Sequence, residues 1–122
     1  MADNSTAIGE PRPLIASDRV EGTAVYNENG DRLGSIYNFM VDKQSGKVEY
    51  AVMSFGGFLG IGEDYYPIPW DKLTYDPREG GYVVDIDSEQ LKSAPRYRAG
   101  AEPAFDRAYD QEVHAHYHTP FI

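Results

Sequence analysis

The sequence predicts a mainly β, antiparallel domain with a short C-terminal helical tail, and three observations carry that reading. Short runs rich in Val, Ile, Tyr and Phe recur between residues 14 and 86. Asn-Gly, Ser-Gly and Gly-Gly pairs separate them. After residue 97 the strand-like pattern gives way to apolar residues spaced near 3.6, the period of a helix.

Residues 1–13 mix Asn, Ser, Thr, Gly, Glu and Pro with little apolar content and are expected to be a flexible leader. Order is expected from Leu14-Ile15, with a barrel domain over 14–97 and a tail over 98–122. Asn29-Gly30 lies between the runs 23–26 and 32–37 and suits the two φ > 0 positions of a tight hairpin. Ser45-Gly46 joins 36–41 to 48–55 in a second hairpin with a slightly longer loop, and Gly80-Gly81 joins 72–75 to 82–86 in a third. Between them, Pro67 and Pro69 both remove donors from one side of the run 65–70, which must therefore be an edge strand or enter a bend. Tyr37, Phe39 and Val41 on one parity and Ile36 and Met40 on the other make the central strands apolar on both faces, so a partner chain or the tail must cover the outer face. In the tail, Pro103 suits a first helical turn, Phe105, Ala108, Tyr109 and Val113 follow at helical spacing, and Pro120 supplies a stop.

Length and charge exclude several classes. The chain has 122 residues, room for one domain but not two. Without cysteine it has no disulfide, thiol nucleophile or Cys-ligated metal. A net charge of −9 argues against binding phosphate backbones or anionic membranes. No stretch approaches the roughly 20 apolar residues that span a bilayer, and no basic, apolar secretory signal opens the sequence, so a cytoplasmic protein is expected. Aromatic content is the unusual feature: ten Tyr, five Phe and one Trp.

The run Gly34-Ser-Ile-Tyr-Asn-Phe-Met-Val-Asp42, then Ser45-Gly-Lys-Val-Glu-Tyr-Ala-Val52, the Gly-rich Ser54-Phe-Gly-Gly-Phe-Leu-Gly-Ile-Gly62 and Pro67-Ile-Pro-Trp-Asp-Lys-Leu73 together resemble the PRC-barrel family. That family includes the cytoplasmic domain of the photosynthetic reaction-centre H subunit and the C-terminal domain of a ribosome-maturation factor. The resemblance spans residues 14 to 97, and the ending from Tyr109 is similar to that of some stand-alone bacterial members. It implies a small, strongly bent antiparallel β-barrel used for assembly, with no shared catalytic residues. A photosynthetic role does not transfer without the membrane helix, and a second, RNA-associated domain has no room here.

Each candidate chemistry meets a plainer reading. Gly57 and Gly62 are spaced as in a phosphate-binding loop, but Glu63 and Asp64 stand where Lys and Ser or Thr are needed and would repel phosphate. The glycines more simply permit a sharp turn that folds Phe58, Leu59 and Ile61 back on the barrel or presents them as a hydrophobic knob. Adjacent carboxylates such as Glu63-Asp64 point to opposite faces of an extended chain and cannot flank one bond, while Asp85 and Asp87 lack the further ligands of a Ca²⁺ loop. Serines occur at 17, 35, 45, 54, 88 and 93, none in a nucleophile elbow. Arg96, Arg98 and Arg107 around Tyr97 make a small positive island, insufficient for RNA.

The function these readings point to is a non-enzymatic interaction module, a homodimer or the binder of another protein, with no cofactor implied. The expected partner-binding residues are Phe58, Leu59, Ile61, Tyr65 and Trp70. The alternative is metal or small-ligand binding by His114, His116 and His118, which are all the histidines: on a strand they share one face, on a helix His114 and His118 align with His116 across, and either geometry suits two or three imidazole ligands. The same cluster could sense pH as its imidazoles gain protons. A ribosome- or RNA-associated adaptor follows only by family analogy and is opposed by the acidity.

Overall fold

The computed structural model describes residues 14–55, 64–86, 88–98 and 100–119. A short helix α1 (Ser17–Val20) leads into β1 (Ala24–Tyr26), β2 (Arg32–Val41), β3 (Val48–Phe55) and β4 (Asp64–Pro69). A 3-10 turn (Trp70–Lys72) joins β4 to β5 (Leu73–Asp76) and β6 (Gly81–Val84). Then come α2 (Ser88–Lys92), β7 (Tyr97–Arg98) and α3 (Arg107–His116). The strands form one sheet in the order β5-β6-β1-β2-β3-β4-β7.

The protein is mainly β, as the sequence predicts, but the sheet is not uniformly antiparallel. β1 pairs with β6 in parallel, Val25 opposite Tyr82 and Tyr26 opposite Val83, while the other pairings are antiparallel. The reason lies in the path: the β5–β6 hairpin returns to the free side of β1 only after the chain has passed through β2, β3 and β4, and β6 arrives running with β1. The contact is close enough that a Cβ on Gly81 would collide with the Ala24 carbonyl oxygen.

β2 bends the sheet. Its first residues pair with β1 and the rest with β3, and the ladder to β3 is irregular between Ile36 and Asn38 and again between Met40 and Val41. Such irregularities bend a strand and increase its twist. Near the bend Gly34 lies against β3, where a Cβ would collide with the Ser54 carbonyl oxygen. Ile36 is paired with Met53, which Tyr66 flanks from β4, while Tyr37 turns to the other face and packs on Tyr65 with ring centroids 4.5 Å apart.

Three loops carry the turn glycines. Gly30, Gly46 and Gly80 all have positive φ. The first loop is wider than the Asn-Gly hairpin the sequence suggests: Tyr26 pairs with Arg32, leaving five residues between, and Asn29 does not take positive φ. The buried Asn27 carboxamide oxygen instead accepts from the Asn29 and Asp31 amides, both at 2.9 Å, and organises the turn from its first residue. In the second loop Asp42 does the same for Gln44 and Ser45, and those amide bonds hold its carboxyl below the usual carboxylate range.

β4 pairs with β3 along its whole length but with β7 only at Asp64 and Tyr65, and the chain turns sharply at Trp70. Pro67 and Pro69 therefore stand where β4 has no second strand partner, at an edge that runs into a bend. The tail supplies part of the cover that the doubly apolar strands require, while Tyr37 and Val41 stay exposed. Val113 and Tyr117 from the C-terminal segment are fully buried in the same cluster as Ile36, Tyr50, Met53 and Ile68. The expected boundary at residue 97 is thus not a boundary of packing. α3 begins later than Pro103: Asp106 caps it, its carboxylate accepting from the Tyr109 amide at 2.9 Å. Pro120 lies outside the described residues.

Candidate functional site

The tail is fastened by one hydrogen bond between elements far apart in sequence. The Tyr50 hydroxyl on β3 donates to Asp110 Oδ1 on α3 at 2.6 Å. Burial, and then this bond, raises the Tyr50 hydroxyl pKa well above its ordinary value. Phe105, held at φ 54°, packs its ring against Tyr50, Tyr97 and Tyr109. A bulky residue at positive φ is strained, and here side-chain packing holds it there. Burial pushes the hydroxyls of Tyr97 and Tyr109 up to about 12.

The three histidines do not converge. His114 stacks beside Tyr50 and places Nδ1 2.6 Å from the Thr119 hydroxyl. His116 points toward α2, with Nε2 2.9 Å from the Gln90 carbonyl oxygen. A carbonyl only accepts, so His116 carries a proton on Nε2 in this contact. His118 lies beyond the helix, exposed, at φ 57°. Among the described residues no group of three His, Asp, Glu or Cys is placed to hold a metal ion. The physical reason is that the helix sends His114 to the sheet and His116 to α2, and ends at His116, before His118 can align with His114.

Of the expected partner-binding residues, Phe58, Leu59 and Ile61 lie outside the described residues, as does the glycine spacing from 57 to 62. Tyr65 is buried, its ring between Tyr37 and Tyr97. Trp70 is half-buried and packs against Phe39 and Tyr82, so it plugs the bend after β4. The apolar side chains that do reach solvent include Tyr37, Val41, Phe55 and Tyr75, the last 54% exposed on the end strand β5. Tyr37 and Val41 border a groove completed by Met40, Tyr97 and Phe105.

The positive island is engaged at home. Arg96 and Arg98 approach Asp64 at 3.5 and 3.7 Å, and Arg96 also donates to the Lys92 carbonyl and lies over the Tyr66 ring. Asp64 thereby becomes the clamp between β4 and β7. Sequence reasoning did not foresee this pairing or that of Tyr50 with Asp110. A carboxylate and a hydroxyl sixty residues apart carry no local signal of contact.

The bent sheet, the Gly34 contact and the Pro-Ile-Pro-Trp bend agree with a family match over residues 13–91 to the PRC-barrel domain. The chain belongs to the PRC-barrel family. It is also similar to an uncharacterized protein of Deinococcus radiodurans, 27% identical over 92 residues. That match takes in 75% of this chain but 30% of the relative, so this PRC-barrel chain spans under a third of the relative's length. The family match ends within α2, ahead of β7 and α3. The tail that completes this PRC-barrel core therefore lies beyond the part matched to the family. No helix among the described residues is long and apolar enough to cross a membrane.

Proposed function

We propose that this protein is a non-catalytic PRC-barrel interaction module that associates with a second copy of itself. The observation that carries the reading is the exposure of Tyr37, Val41, Phe55 and Tyr75 on a barrel whose core its own tail already completes. Exposed aromatic and branched side chains on an otherwise acidic surface favour specific contacts, because the charge of −9 opposes indiscriminate association. The working unit takes in the tail, since Val113 and Tyr117 belong to the core.

Light scattering on the full chain at neutral pH tests the reading. A dimer population that grows with concentration is expected. A strict monomer throughout the micromolar range would overturn it.

A further inference from the structure

The β5 edge is the best-defined candidate for such a contact. β5 ends the sheet, and among the described residues one of its sides, the one facing β6, is paired and the other is not. Leu73, Thr74, Tyr75 and Asp76 contain no proline, and the β5–β6 register runs without a bulge. Open strand edges recruit further strands unless charge, proline, bulges or a covering element blunts them.

We propose that β5 pairs antiparallel with β5 of a second copy, about a two-fold axis passing between the two Thr74 residues. This rests on the self-association reading and names its surface. The register follows from the sequence of the strand. With Thr74 opposite Thr74, Leu73 faces the second copy's Tyr75, and Lys72, the last residue of the 3-10 turn that feeds β5, comes beside the second copy's Asp76, each pair occurring twice. Every cross-strand pair is then favourable: apolar with aromatic, hydroxyl with hydroxyl, cation with anion.

Neighbouring registers are worse. Moving the axis to Tyr75 sets Lys72 against Arg78 and Leu73 against Pro77, which cannot donate. Moving it to Leu73 sets Trp70 against Asp76. A half step would oppose residues on opposite faces of the strand, such as Leu73 and Asp76, whereas antiparallel pairing joins residues on the same face.

The side chains are placed for this pairing. Lys72, Thr74 and Asp76 line one shallow groove with Val83 and Asp85. Lys72 makes no ion pair with the described residues. Asp76 uses Oδ1 to accept the Arg78 amide at 2.9 Å, which leaves Oδ2 for a cation. Tyr75, on the other face of the strand, is more than half exposed while its ring edge rests on Tyr82 at 5.4 Å. In an isologous contact each favourable pair acts twice.

The test uses two charge reversals on the full chain, Lys72→Glu and Asp76→Lys. Alone, each sets two like-charged pairs across the axis and is expected to weaken dimerisation by about tenfold or more. Mixed in equal amounts they restore both opposite-charge pairs, and the mixture is expected to dimerise as wild type does. Circular dichroism confirms that each variant is folded. Should Asp76→Lys disturb its own turn, hydrogen exchange of the wild-type chain gives an independent reading: amides of residues 73–76 should gain protection as concentration rises.

A wild-type dimer in which neither reversal weakens association, or in which the mixture fails to recover and β5 gains no protection, would overturn the edge pairing while leaving self-association standing. A monomeric wild type would remove both.

Discussion

At one end of the sheet β4 is protected several times over: two prolines remove donors, β7 pairs with its first residues, Arg96 and Arg98 close on Asp64, and α3 packs beside it. At the other end β5 has one side unpaired among the described residues, and Tyr75 stands half in solvent. Both ends belong to the same small sheet and face the same hazard, a row of unmatched backbone groups. One end holds the stability of the sheet and the other leaves a contact available. Breaking the protected end should cost folding; breaking the open end should cost association and little else.

The largest expected effect is at the protected end. Tyr117 is fully buried, and Tyr117→Ala should lower the unfolding free energy by about 3–5 kcal/mol, as for other large aromatic truncations. Urea unfolding followed by circular dichroism measures it. Tyr117→Phe separates ring from hydroxyl. Among the described residues the hydroxyl is buried without a hydrogen-bond partner, so its removal should leave stability unchanged or raise it by up to about 1 kcal/mol. A loss of several kcal/mol in the Phe variant would mean that the hydroxyl is bonded and that the end is held by polar contacts.

Next comes the junction that ties the open end to the rest. β6 lies so close to β1 that a side chain at Gly81 meets the Ala24 carbonyl, which belongs to the backbone and cannot swing aside. Gly81→Val should therefore destabilise by roughly 1–3 kcal/mol, the usual scale of overpacking. If it costs nothing, β5 and β6 are not docked on β1 as described, and the open end is loose as well as unpaired.

How far all this is legible in the sequence depends on the range of each interaction. The β class, the strand runs, the hairpin turns at Gly46 and Gly80 and the family resemblance rest on near neighbours, and the fold carries them. The parallel β1–β6 pair was missed because it joins segments more than fifty residues apart, and no local pattern distinguishes parallel from antiparallel partners. Asn29-Gly30 misled for the opposite reason: Asn27, two residues earlier, captures the loop amides and sets a wider turn. The ring contacts of Tyr65 with Tyr37 and Tyr97, and of Trp70 with Phe39 and Tyr82, join residues from separate strands and have no local signature. Tyr75 carried no distinguishing signal, since its exposure follows from β5 being last in the sheet, a fact of topology.

Between the extremes lies the tail fastening. Tyr50→Phe removes the bond to Asp110 and should cost about 1–1.5 kcal/mol at neutral pH. Its pH dependence has a definite sign. The folded state holds the Tyr50 proton more tightly than the unfolded chain, where tyrosine titrates near 10. The stability this contributes is complete below about pH 10 and declines as the pH rises above it, because only the unfolded chain then gives up the proton readily. Denaturant midpoints taken from pH 8 upward should fall more steeply in wild type than in Tyr50→Phe. A residual slope is expected in the variant from Tyr97, Tyr109 and Tyr117, which burial also shifts upward. Parallel profiles would show that Tyr50 is not the group that couples the tail to pH.

The smallest expected effect on folding is at the open end, and it sharpens the contrast most. Tyr75 keeps over half its surface in water, so its edge contact with Tyr82 sits at the low end for aromatic pairs, roughly 0.5 kcal/mol. Tyr75→Lys should cost about that much in urea unfolding of the monomer. The same change places a charge opposite Leu73 of a second copy on each side of the proposed axis, and lysine is the residue that protects exposed edges elsewhere. Its dimer dissociation constant should therefore rise far more than its unfolding free energy falls. Should the two change in step, Tyr75 would be a structural residue of the barrel, and the two ends of the sheet would differ in appearance alone.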